Sequence, residues 1–153
     1  MMASLIYRVL DEHVIHGLAD KLAIEDERGT MSYAELLHES ASVAGALVNV
    51  GVVAGTGLQL DVPHGRELVV AVLALARLGA IPADDVEHRL VGLPPVLHTA
   101  GAEVTWDLLI HAGRMDPAPA PPTDPDGYEA LMRGAYPEIF RALQAGETIT
   151  TSG

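Results

Sequence analysis

Apolar positions along the chain change their period several times, and each change marks an element. From residue 5 to 16, Leu5, Ile6, Val9, Leu10 and Val14 share one helical face with Asp11 and Glu12 off it. That spacing predicts an amphipathic opening helix, ended by Gly17. Leu22-Ala23-Ile24 reads as a short strand, Asp26-Glu27-Arg28-Gly29 as a turn, and Thr30-Met31 as the returning strand of a hairpin. Ser32-Tyr33-Ala34-Glu35 has the spacing of a capping box, in which the serine accepts from the glutamate amide and the glutamate reaches back. It opens a helix with Leu36, Leu37, Val43, Ala44, Leu47 and Val48 on its stripe, closed by Gly51.

The second half of the pattern is less regular. Leu58 to Val62 predicts a strand, Pro63-His64-Gly65 a turn, and Arg66 to Leu78 a helix apolar on nearly all sides that stops at Gly79. Ala80 and Ile81 start another short strand, while the stretch 82 to 93 reads as acidic and irregular. Pro94 and Pro95 suit the start of a short helix running to Thr99, and Glu103 to Trp106 a last strand. This alternation predicts an α/β fold, a mainly parallel sheet with helices on both faces. Three parts are expected: an α/β subdomain over 1–116, a proline-rich linker over 117–125 that holds five of the ten prolines, and a helical segment with a C-terminal tail over 126–153. In the last part Asp126 with Glu129 is expected to cap a helix, Pro137 to interrupt it, and Thr148 to Thr150 to form a strand.

Composition narrows the function. With 153 residues the chain supports one core, and 49% hydrophobic residues against 4% aromatic suits a stacked α/β interior. Twenty-one acidic residues against nine basic ones give a formal charge of −12, which repels phosphate backbones, so no nucleic-acid partner is expected. The absence of cysteine excludes disulfides, thiolate metal sites and a cysteine nucleophile. The longest apolar run, Leu68 to Ala76, is about half of the ~18 residues that cross a bilayer, and no export signal is visible, so a cytoplasmic protein without a membrane span is expected.

From Asp20 to Val104 the chain resembles the N-terminal portion of the AMP-forming acyl-CoA synthetase and adenylation-domain superfamily, which includes luciferase. The resemblance is carried by Asp20-Lys21-Leu22-Ala23-Ile24, Met31-Ser32-Tyr33-Ala34-Glu35-Leu36, Ala46-Leu47 with Gly51 through Gly55, Val62-Pro63-His64-Gly65, Leu78-Gly79-Ala80-Ile81-Pro82 and Ala100-Gly101-Ala102-Glu103-Val104. These matches are structural in the family and none is catalytic. Gly55-Thr56-Gly57 stands where relatives commonly have glycine, aspartate and arginine, and Pro63-His64 where they commonly have proline and asparagine. The resemblance implies the fold of the N-terminal subdomain of acyl-adenylate-forming enzymes. For a full-length relative it implies ATP, magnesium and coenzyme A, with a carboxylic acid converted to an acyl-adenylate and passed to a thiol.

Thr151-Ser152-Gly153 matches the opening of the family's phosphate loop, whose hydroxyls and glycine amides donate to phosphate oxygens. The rest of that loop and its lysine, the acidic metal-binding motif and the ribose aspartate have no counterpart in these residues. The expectation is a catalytically incomplete chain with no catalytic residue, no resident metal and no cofactor of its own. Two other readings stay open: a non-catalytic binding or oligomerisation module, and one half of a split adenylating enzyme. A homo-oligomer or a protein partner is then expected to cover an exposed apolar face. Other constellations weigh less. His13 with His16, and the group Asp84-Asp85-Val86-Glu87-His88, have the residue types of metal ligands but read better as solvated surface, and His64 reads as a turn residue before a helix. Ser32 is engaged as a cap, and Ser152 lacks a nucleophile elbow.

Overall fold

The computed structural model describes residues 2–151. The chain opens with two π-helical stretches, Tyr7–Asp11 and Val14–Leu18, that bury Val9 and Leu10. Gly17, at φ +108°, breaks the second stretch. The hairpin follows as β1 (Leu22–Asp26) and β2 (Gly29–Ser32), paired antiparallel.

Helix α1 (Tyr33–Asn49) starts as its sequence dictates: Ser32 Oγ accepts from the Glu35 amide at 3.1 Å, and Glu35 Oε1 accepts from the Ser32 amide at 3.0 Å. Strand β3 (Gly57–Asp61) leads to α2 (Arg66–Leu78), closed by Gly79 in the left-handed region. Every residue from Val69 to Arg77 in α2 is buried, so this helix is an interior element covered on all sides. It packs on α1, which packs in turn on α3 (Trp106–Arg114). Gly113 and Gly45 allow the α1–α3 approach, because a Cβ at Gly113 would lie 1.6 Å from the Ser42 carbonyl oxygen, and one at Gly45 2.1 Å from that of Asp116.

The strands form two mixed sheets. One has the order β2-β1-β8, with β8 (Ile149–Thr150) parallel to β1. The other runs β4-β3-β5-β6-β7, with β4 (Ile81–Pro82), β5 (His88–Val91), β6 (Val96–Thr99) and β7 (Ala102–Thr105). Three neighbouring pairs are parallel and three antiparallel, so the expected mainly parallel sheet is corrected to an even mix. The reason is loop length: a parallel return needs a crossover of roughly a dozen residues, whereas the β5–β6 and β6–β7 joints are far shorter. Ala100 and Gly101, both at positive φ, make the second joint a two-residue hairpin turn.

Three local expectations also change. The acidic stretch contains β5, which pairs with both β3 and β6. The residues after Pro95 form β6 rather than a helix; Leu97 and Thr99 face inward while Val96 and His98 are less buried, the period of a strand. Trp106 begins α3 instead of ending a strand, with Thr105 Oγ1 accepting from the Leu108 amide at 3.4 Å.

The segment 117–125 has no helix or strand but is tied to the body. The Ala118 amide donates to the Ala41 carbonyl, and Asp124 Oδ2 accepts from the Leu5 amide at 2.7 Å. Helix α4 (Tyr128–Ala135) is preceded by Gly127, with no side-chain cap, so Asp126 does not play the expected role. Tyr128 anchors α4 by donating its hydroxyl to the Leu75 and Ala80 carbonyls at 3.0 and 2.7 Å. Helix α5 (Pro137–Gln144) begins with its proline at the first turn, where a missing N–H costs nothing. Met132, Ile139, Phe140 and Leu143 join the same hydrophobic cluster as Leu5, Leu36 and Leu73. Among the described residues no helix is long and apolar enough to cross a membrane.

Candidate functional site

Strand β8 lies at the edge of the smaller sheet, beside the central strand β1. Ile24 faces Ile149 and Glu25 faces Thr150 in parallel register, and the Thr151 amide donates to the Glu25 carbonyl at 3.0 Å. Thr148 Oγ1 donates to the Leu22 carbonyl at 2.7 Å and fixes the start of the strand. One turn earlier, Tyr33 donates its hydroxyl to the Glu147 carbonyl at 2.6 Å, and burial pushes that phenol up to about 12. Thr151 therefore stands at the shared carboxyl end of β1 and β8, the end of a parallel pair where α/β proteins place ligands. Its side chain is buried, and its hydroxyl has no hydrogen-bond partner among the described residues. Of the three loop residues named from sequence, Thr151 alone is placed; Ser152 and Gly153 lie outside the described residues.

The same strand end carries a knot of charge. Asp26, the last residue of β1, accepts from Arg66 through both oxygens, at 2.8 Å from Nε and 2.7 Å from Nη2, and from the Arg28 amide at 2.8 Å. The Arg66 guanidinium holds the Asp26 carboxyl at about 2, well below its usual value. Arg28 in turn grips Glu67 with two hydrogen bonds, of 2.7 and 2.8 Å. Burial pulls Glu67 upward, but the Arg28 hydrogen bonds and charge outweigh it and the net direction is down. Both guanidiniums are thus committed to carboxylates of the chain itself, and the knot locks the hairpin to the start of α2. Nothing in the local pattern around Asp26, Arg28, Arg66 or Glu67 announces this, because the partners lie about 40 residues apart.

The remaining candidates scatter. His13 Nε2 sits 2.8 Å from the Leu143 carbonyl, with its ring edge-on to Tyr33, so it is held by backbone and packing. His88 turns inward to Thr99, with Nδ1 2.7 Å from Oγ1, while Asp84, Asp85 and Glu87 face solvent. His64 is exposed in the turn before α2. Among the described residues no three His, Asp or Glu side chains converge as metal ligands. Among the described residues, one free hydroxyl at Thr151 stands where the loop begins, its amide being engaged by Glu25, and the nearby arginines are paired, so the described residues do not fit a triphosphate or its magnesium ion.

Residues 11–84 match the model of the family described as AMP-binding enzyme. An acetyl-coenzyme A synthetase of Deinococcus radiodurans is 46% identical over 83 residues, 51% of this chain and 13% of the relative. The mitochondrial acyl-CoA synthetase short-chain family member 3 of Rattus norvegicus is 36% identical over 86 residues, 52% of this chain and 13% of the relative. This chain therefore aligns with about one eighth of the length of these relatives. Among solved structures, the N-terminal subdomain of NpsA from Klebsiella oxytoca, in complex with 3-hydroxyanthranilyl-AMSN, superposes with a TM-score of 0.50 at 22% identity. It covers 54% of this chain and 21% of that one, and at that identity it speaks for the fold alone.

Proposed function

We propose that this chain is an N-terminal portion of an AMP-forming acyl-CoA synthetase and cannot activate a carboxylate by itself. In a complete relative the reaction joins a carboxylic acid to AMP, releasing pyrophosphate, and then transfers the acyl group to coenzyme A. Thr151, Ser152 and Gly153 are the start of the loop that takes the phosphates of ATP. The observation that carries this reading is the parallel seat of β8 on β1, which presents a buried Thr151 with an uncommitted hydroxyl at the carboxyl edge of the sheet.

Activation needs several donors on the polyphosphate and a counter-charge for the developing oxyanions. The described residues supply neither, since Arg28 and Arg66 are already paired. ATP–pyrophosphate exchange with acetate tests the proposal directly. No exchange above background is expected from the chain alone, and steady exchange would overturn it. A second reading, a binding module covered by a partner, is favoured by the exposed Leu108, Met115 and Leu131 on or beside α3 and α4. Light scattering separates the two: a strictly monomeric chain at high concentration counts against a self-associating module.

A further inference from the structure

A cleft of about 580 Å³ opens between β2, α1, α3 and Pro117. It lies along the β2 side of β1, on the opposite flank from β8 and Thr151. Met31 and Ile110, both buried, form its apolar wall, and Ser42 belongs to its lining. Four charged side chains line it: Glu35 and Glu39 from α1, Arg66 from α2 and Arg114 from α3.

Of the other ionisable groups lining the cleft, His38 is exposed to solvent and two are engaged within the chain. Arg66 is tied to Asp26 through both of its donor nitrogens in that pair, and Glu35 is held in the capping box. Glu39 and Arg114 differ. Among the described residues neither makes an ion pair or a side-chain hydrogen bond; Glu39 is partly buried and Arg114 is exposed to solvent at the cleft's rim. Burial raises the Glu39 carboxyl, and the positive charges of Arg66 and Arg114 offset this only in part, so its charged form is incompletely compensated. A carboxylate and a guanidinium facing one cavity, each without a direct partner, are complementary to a molecule bearing both a cationic nitrogen and an acid group.

We propose that this cleft is a binding site for a small zwitterion, its ammonium group received by Glu39 and its acid group by Arg114, with the connecting methylenes against Met31 and Ile110. The site stands apart from the phosphate loop and does not depend on the reading of Thr151. Each charge-assisted contact contributes enough to make its loss worth at least about tenfold in affinity.

The ω-amino acids β-alanine and γ-aminobutyrate test it by titration calorimetry against the whole chain, with butylamine and butyrate as analogues carrying one charge each. At least one of the amino acids is expected to bind in the millimolar range, with both single-charge analogues at least about tenfold weaker. Glu39→Gln and Arg114→Gln should each weaken the amino acid by a similar factor, with circular dichroism confirming that both variants stay folded. Absence of binding by both amino acids, equal binding of butylamine or butyrate, or unchanged affinity in a folded variant would each overturn the proposal.

Discussion

Replacing Gly113 by alanine should unfold the protein more readily than its small size suggests. On an exposed helical position the change stabilises by about 0.5–1 kcal/mol, because alanine is the better helix former. At Gly113 the new Cβ would stand 1.6 Å from the Ser42 carbonyl oxygen, and real Cβ atoms essentially never approach closer than 3.0 Å. Helix α3 must therefore withdraw from α1 by at least about 1.4 Å, and a gap of even 0.5–1 Å forfeits roughly a quarter to a half of each atom-pair attraction. The contact includes Trp106, Leu109 and Ile110, all buried, so the net cost should reach about 3 kcal/mol, at the upper end of overpacking. Against a total of about 5–15 kcal/mol that is a large share. Gly134 in α4 is the control, since a Cβ there meets nothing within 4 Å; Gly134→Ala should be neutral or stabilising by up to about 1 kcal/mol. Urea unfolding followed by Trp106 fluorescence and far-ultraviolet circular dichroism reads both. A Gly113→Ala midpoint indistinguishable from the parent, or a Gly134→Ala loss as large, would refute the close-approach argument.

Three further outcomes follow from named contacts. Arg77, nearly fully buried, bonds Asp11 at 2.5 and 3.2 Å and reaches the Ala118 carbonyl at 3.4 Å. Arg77→Ala should cost about 3 kcal/mol by stranding Asp11, while Arg77→Met with Asp11→Leu should recover most of it in the same urea assay. Tyr128→Phe should lower stability by about 1–2 kcal/mol, as the Ala80 carbonyl loses its donor while the Leu75 carbonyl keeps the Gly79 and Ala80 amides, and hydrogen exchange should quicken first in α4. The folded Asp26 carboxyl is depressed, so its contribution is present above its ordinary value of 3.8 and is lost as pH falls from there through about 2. Thermal melts across that window should drop more steeply for the parent than for Asp26→Asn, and parallel profiles would exclude the Arg66 pair as the cause.

Elements whose signals are local were legible in the sequence. The capping box at Ser32 and Glu35 placed the start of α1, and the glycines at 51 and 79 placed the ends of α1 and α2. The hairpin at 22–32 and the proline start of α5 were equally plain. What failed depended on partners distant in sequence. Strand β5 carries His88 and Arg89, poor advertisements for a central strand, and is fixed by its ladders to β3 and β6. Strand β6 follows two prolines that serve a helix start as well as a turn, and its alternating burial decides between them. The even mix of parallel and antiparallel pairing follows from which strands meet, which element order alone leaves open. At the candidate site the sequence pattern singles out 151–153, whereas the seat of Thr151 beside Glu25 and the Asp26–Arg66 and Arg28–Glu67 pairs are products of tertiary structure.

The central claim is that this N-terminal scaffold lacks the grip that a triphosphate requires. Titration calorimetry of the chain with ATP and magnesium measures that most directly. No saturable heat up to millimolar nucleotide is the result the account predicts. Micromolar binding by the chain on its own would contradict it.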